Sequence, residues 1–118
     1  LFVTEQVSLT KKGSEGLAEI KAAMTRFRAN APKEVGGFAV EQVIDLSKGE
    51  GGLPPSDVLV FKLSGGRRII MRPSGTEPKL KSYYEVRVEV GADEAIADAR
   101  ARGMSELATL RDGHQSMI

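Results

Sequence analysis

Lys79-Leu80-Lys81-Ser82-Tyr83-Tyr84-Glu85-Val86-Arg87-Val88-Glu89-Val90 alternates with a period of two. Leu80, Tyr84, Val86, Val88 and Val90 fall on one side, and Lys79, Lys81, Tyr83, Glu85, Arg87 and Glu89 on the other; only Ser82 interrupts the apolar side. Successive side chains of a strand point to opposite faces, so this segment predicts a strand with one face covered and one face open. Sheet packing accounts for Tyr84, whereas Tyr83 divides between packing and a role on the open face.

Upstream, Ser64-Gly65-Gly66-Arg67 is a hairpin signal, because glycine readily takes the positive φ of the primed turns. It predicts that residues 68–72 return antiparallel to residues 58–63, a nearly continuous apolar run that reads as a central strand. Gly36-Gly37 opens a further strand through Phe38, Val40, Val43 and Ile44, whose alternation slips by one after Val40, the mark of a bulge or bend. Between these strands, residues 47–57 hold Gly49, Gly51, Gly52, Pro54 and Pro55 and read as an exposed loop.

Two segments carry helical spacing instead. Within residues 14–30, Leu17, Ile20, Met24 and Phe27 recur at steps of 3, 4 and 3, with Ser14 as the N-cap candidate and Asn30-Ala31-Pro32 as the stop. Within residues 93–111, Ile96, Ala99, Gly103, Leu107 and Leu110 do the same; Gly103 permits close packing or a kink, and Asp112-Gly113 reads as the end. His114 then falls in an exposed, fraying tail. With an extended opening through Phe2, Val3, Val7 and Leu9, the order β, α, β, β, β, β, α predicts an α+β domain: a mainly antiparallel sheet with both helices on one face.

At 118 residues the chain fits one domain able to fold alone. Lys+Arg 17 against Asp+Glu 16 gives a formal charge of +1, so no global field draws it to nucleic acid or an acidic membrane, and any anion site must be local. Without cysteine, and with His114 as the single histidine, the chain offers no disulfide, thiolate metal site, cysteine nucleophile or histidine-based zinc site. No run approaches the ~20 apolar residues of a membrane span, and the composition suits the cytoplasm. The opening Leu1-Phe2-Val3, already strand-like, reads as the start of a fragment of a larger protein.

The chemistry concentrates in Arg72-Pro73-Ser74-Gly75-Thr76-Glu77-Pro78-Lys79. Arg72 can present two parallel N–H donors to two oxygens of a phosphate, a charge-assisted geometry that lysine does not reproduce. Ser74 and Thr76 add hydroxyl donors on either side of Gly75, where the backbone can approach an anion. Pro73 and Pro78 stiffen the ends, and Lys79 and Lys81 follow about 7 Å apart along one face. Glu77 would repel a bound phosphate and is expected to point away. The plain alternative is a surface turn followed by a solvated strand face.

The run from Arg72 to Lys81 resembles the C-terminal phosphate loop of the α-D-phosphohexomutases of the phosphoglucomutase/phosphomannomutase type. The resemblance extends to Gln6-Val7-Ser8-Leu9 and to Leu53-Pro54-Pro55-Ser56-Asp57-Val58-Leu59. It implies the last domain of a four-domain enzyme, with a TATA-box-binding-protein-like fold that grips the non-reacting phosphate of a sugar phosphate. Elsewhere in such an enzyme lie a phosphoserine, a Mg²⁺-binding aspartate loop and a sugar-binding loop.

Carried over by position, Arg72, Ser74, Gly75 and Thr76 match the phosphate contacts and Lys81 a basic position on the following strand. The partners implied are a sugar phosphate and the upstream domains of the same chain. This sequence holds no serine loop of the Thr-Ala-Ser-His-Asn-Pro kind and no Asp-Gly-Asp metal loop, so it is expected to catalyse nothing alone, with no catalytic or metal-binding residue of its own. The rival reading is a nucleic-acid module using Arg67, Arg68, Lys79, Lys81 and Arg87; near-neutral charge and few stacking aromatics count against it.

Overall fold

The structure, a computed structural model, describes residues 1–49 and 54–118. In chain order these form β1 (Phe2–Thr10), α1 (Gly13–Ala29), β2 (Glu34–Val35), β3 (Phe38–Asp45), β4 (Leu59–Leu63), β5 (Arg67–Pro73), β6 (Lys79–Arg87) and α2 (Ile96–Gln115). The strands make one sheet of six, in the order β1-β6-β5-β4-β3-β2, with every neighbouring pair antiparallel. The expected α+β class and antiparallel sheet are therefore what the chain forms.

The alternation in β6 does what its pattern requires. Leu80, Ser82, Tyr84 and Val86 are buried, while Lys79, Lys81, Tyr83 and Glu85 stay partly open. The buried side faces both helices: Ile20, Met24 and Phe27 of α1 and Leu107 and Leu110 of α2 join Leu59, Phe61, Ile69, Met71, Leu80 and Tyr84 in one core. Fully burying a side chain of this size contributes about 1.5–3 kcal/mol, so the shared core holds the two helices on the same face. The strand ends sooner than the alternation suggests: Val88 is buried beyond its end, but Val90 is 42% exposed.

The hairpin is confirmed between β4 and β5, with Leu63 opposite Arg67 and a three-residue connection in which Gly65 and Gly66 have φ of 71° and 75°. The slip after Val40 is a register shift between Val40 and Gln42 against β4. Residues 58–63 prove central in the sheet but covered on one face only: Leu59, Phe61 and Leu63 are buried and Lys62 is exposed. Gly36-Gly37 forms a small hairpin between β2 and β3 rather than merely opening a strand. Of the expected loop at residues 47–57, residues 50–53 lie outside the described ones. Its flanks are tied to α1, since Arg28 bonds Asp45 at 3.0 Å and Asp57 at 2.6 Å.

Three expectations about the helices need correction. The N-cap position of α1 is Lys12, with no side-chain cap bond, and Ser14 lies inside the first turn. Ile96, expected on the buried stripe of α2, is 63% exposed at the helix start. The helix does not stop at Asp112-Gly113 but runs to Gln115, and His114 is fully buried rather than in a frayed tail. Gly113 is there for close approach: a Cβ on it would come within 2.8 Å of the Gly36 backbone nitrogen. His114 Nδ1 lies 2.5 Å from the Tyr84 hydroxyl, which also accepts from Gln115 Nε2 at 2.7 Å, pinning the end of α2 to β6.

Candidate functional site

β5 and β6 converge on the segment 74–78, and their register sets its chemistry. Arg72 stands directly opposite Lys81, and Pro73 opposite Leu80, so the loop leaves a fully paired ladder. It is tied at both ends: Ser74 N–H donates to the Lys79 carbonyl at 2.9 Å, and Lys11 N–H to the Pro78 carbonyl at 2.8 Å. Inside it, the Glu77 N–H donates to Ser74 Oγ at 3.2 Å. That bond uses Ser74 as an acceptor and leaves its hydroxyl proton available to an incoming oxygen.

Arg72, Ser74, Gly75 and Lys81, together with Pro73, Glu77 and Lys79, line one depression of about 310 Å³. Four of the five residues singled out from the sequence are thus brought together. Thr76 is exposed on the loop but does not line the depression. A Cβ on Gly75 would meet nothing within 4 Å, so packing within the chain does not demand glycine there. Glu77, expected to turn away, is among the lining residues; its carboxylate lies 3.8 Å from the Lys79 ammonium.

The electrostatics of this corner differ from those of the rest of the open face. Like charges opposite each other across strands are destabilising, whereas opposite charges support the pairing. One pair of rows away, Arg68 faces Glu85 and pairs with it at 3.3 Å. Arg72 and Lys81 face each other, and among the described residues neither has a carboxylate within ion-pair distance. Two cations and a free hydroxyl therefore converge on a small polar hollow, a donor set suited to a doubly charged oxyanion.

Lys79 and Glu77 also line the depression; the sequence reading places Lys79 beside Lys81 on one strand face without assigning it a phosphate contact, and expects Glu77 to turn away. Among the described residues no three acidic, histidine or cysteine side chains gather into a metal-binding group.

Residues 9–103 match the family model described as phosphoglucomutase/phosphomannomutase, C-terminal domain. A probable phosphomannomutase of Haemophilus influenzae is 43% identical over 97 residues, covering 82% of this chain and 18% of that protein. A phosphoglucomutase of Staphylococcus aureus is 36% identical over 91 residues, covering 68% of this chain and 16% of the relative. Among solved structures, the phosphoglucomutase parafusin of Paramecium aligns over 94% of this chain and 21% of its own, at 16% identity and a TM-score of 0.44. This chain spans less than a fifth of the length of these two curated relatives. On the strength of the match over residues 9–103, the chain belongs to the phosphoglucomutase/phosphomannomutase C-terminal domain family.

Proposed function

We propose that this domain holds the non-reacting phosphate of a sugar phosphate within a larger phosphoglucomutase or phosphomannomutase, and that this hold helps to close the active-site cleft. The observation that carries the reading is the uncompensated pair, Arg72 opposite Lys81, at the mouth of the loop. A phosphate dianion between them would relieve their repulsion. Arg72 would take two of its oxygens, and the Ser74 hydroxyl and the backbone at Gly75 would take the rest. Thr76, exposed at the loop tip, would join when the ligand is in place.

In this reading the bond-making belongs to the rest of the enzyme. A phosphoserine there donates a phosphoryl group to the sugar, and the bisphosphorylated intermediate reorients; the newly added phosphate then occupies the same grip while the original phosphate passes back to the serine. Phosphate moves between the C1 and C6 oxygens, an isomerase reaction overall. The grip contributes by orientation: holding the remote phosphate keeps the reacting oxygen in line, so binding energy appears in the rate as well as in affinity. A cytoplasmic, magnesium-dependent parent enzyme is part of the same proposal.

The test uses the 118-residue chain. Titration with inorganic phosphate should shift the amide resonances of residues 74–76 first, with a Kd in the millimolar range, about −4 kcal/mol. Shifts that instead spread over Arg67, Arg68 and Arg87 would place the anion elsewhere. The chain alone should interconvert no sugar phosphates, and turnover by it would overturn the division of labour.

A further inference from the structure

On the face of the sheet that neither helix covers, one row of residues runs unbroken across five strands. Ile44 of β3 stands opposite Val60 of β4, Val60 opposite Ile70 of β5, Ile70 opposite Tyr83 of β6, and Tyr83 opposite Gln6 of β1. Residues opposite one another share a face, so the first four make an apolar stripe about 14 Å long. All four are partly exposed, and none belongs to the core beneath the helices. The rows on either side are charged. Two residues along the strands in one direction lies the Arg72–Lys81 pair of the phosphate grip, with Ser8 beside it. In the other direction come Lys62, Arg68, Glu85 and Thr4. Glu85 pairs with Arg68 at 3.3 Å, and Glu5, which borders this part of the face, is held by Arg111 of α2 at 3.0 Å. Among the described residues, Arg72, Lys81 and Lys62 have no carboxylate within ion-pair distance. The stripe therefore has a cationic rim on both sides, in a chain whose formal net charge is only +1.

We propose that this face is the seat on which the rest of the parent enzyme closes over the held phosphate, and that the surface it receives is an apolar ridge rimmed with carboxylates. The inference rests on the phosphate reading given above and names what covers the grip. A contiguous apolar patch with a polar rim marks a docking surface rather than a solvated sheet. Position, charge and chain length select the occupant. The stripe lies about 7 Å from the Arg72–Lys81 row, the advance of two strand residues, so whatever covers it also closes over the grip. The unpaired cations call for an acidic partner and disfavour a second copy of this chain, which would bring the same cations to the same face. A nucleic acid would satisfy the cations but set its phosphates beside Ile44, Val60 and Ile70, which offer them no donor. The matched region makes up only 18% and 16% of two curated relatives, so an intramolecular occupant is at hand.

Hydroxyl-radical footprinting read by mass spectrometry tests the cover directly, comparing the 118-residue chain with the whole parent enzyme, both with glucose 6-phosphate. Ile44, Val60, Ile70 and Tyr83 should be oxidised about tenfold more slowly in the parent, because the centre of a docked interface excludes water. Met104, 57% exposed on α2, should react alike in both. Equal rates along the stripe in the two proteins, or protection of Met104 alone, would overturn the proposal. So would protection confined to Tyr83, which the bound ligand could shade by itself. Val60→Asp should lower kcat/KM of the parent about tenfold, while the 118-residue chain carrying it binds inorganic phosphate as before and so is folded. Should Val60→Asp fail to fold, Lys62→Glu, on an exposed position, should lower kcat/KM in the same direction. A folded variant with unchanged kinetics would remove the seat. If inorganic phosphate moves residues 72–76 and the stripe stays open in the parent, this inference fails alone. If phosphate moves none of them, the phosphate reading fails and takes the closure with it.

Discussion

Arg72 and Lys81 face each other across β5 and β6 as directly paired cations, while the same two strands neutralise Arg68 with Glu85 at 3.3 Å. A like-charged cross-strand pair costs on the order of 0.2–1 kcal/mol relative to a neutral one. Lys81→Gln should therefore leave the empty domain as stable as before or slightly more so. For the original chain, about 10 mM phosphate at a millimolar Kd should add about 1.4 kcal/mol of stability. In Lys81→Gln most of that gain should vanish. Urea denaturation with and without phosphate measures both effects, and a variant destabilised without phosphate would make Lys81 a structural residue.

Arg72→Lys keeps the charge and loses the fork. A charge-assisted hydrogen bond contributes about 1.5–3 kcal/mol, so exchanging a bidentate pair for one contact should lower kcat/KM of the whole parent enzyme roughly 10- to 150-fold. The loss should be visible in kcat as well as KM, because the grip orients the reacting end. The melting temperature should barely move, since Arg72 is exposed and lies outside the core. Unchanged kinetics would remove Arg72 from the site, and a parallel fall in melting temperature would reassign it to the fold.

What the sequence made legible followed from periodicity. The steps of 4 and 3 from Ile20 through Met24 to Phe27 and the alternation of Leu80, Tyr84 and Val86 each serve a single buried face, so position along the chain determines burial. The end of α2 was misread because Asp112-Gly113 has the composition of a helix stop, yet this glycine answers to a tertiary contact with Gly36. The signal was present: His114 continues the steps through Gly103, Leu107 and Leu110 by 4, 3 and 4. For the site, residue types pointed to Arg72, Ser74 and Lys81, but the facing of Arg72 and Lys81 depends on a register that only the paired strands define. The side chain of Glu77 and the exposure of Thr76 depend on loop geometry, which has no period to read.

Gly103 tests how tightly α2 sits on the sheet. A Cβ there would lie 2.7 Å from Val88 Cγ2 and 2.8 Å from Val3 Cγ2, closer than side chains pack. Alanine gains about 1 kcal/mol over glycine in a helix interior, whereas overpacking a filled core costs about 1–3 kcal/mol. Gly103→Ala should therefore be neutral to destabilising by about 2 kcal/mol, and Gly103→Val, with two more methyl groups and poorer helix propensity, clearly worse. A clear gain in stability for Gly103→Ala would show that the helix can move away without cost.

His114 should give the fold a pH dependence of its own. The ring is buried between Phe27 and Tyr84, with centroids 5.4 Å from each, and its Nε2 has no hydrogen-bond partner among the described residues. Burial disfavours the imidazolium and pushes the His114 pKa down to about 4 from 6.5. The unfolded chain therefore binds more protons than the folded one between these values, so stability rises with pH across that window. It is fully present above about pH 6.5 and lost progressively as the pH falls towards about 4, by about 3 kcal/mol in all. Two carboxylates contribute lower down. Glu94 is held below its usual 4.5 by Arg102, and Asp45 below 3.8 by Ser47 and Arg28 against the upward push of its own desolvation. The interval between about pH 5.5 and 6.5, above the range in which an unfolded-state glutamate takes up a proton, reports chiefly the histidine. His114→Leu should lower stability at pH 7, because the Tyr84 hydroxyl loses its contact with Nδ1 and keeps only the bond from Gln115, yet flatten the dependence in that interval. Urea midpoints at half-unit pH steps measure it, and an unchanged slope in His114→Leu would assign the dependence to other groups.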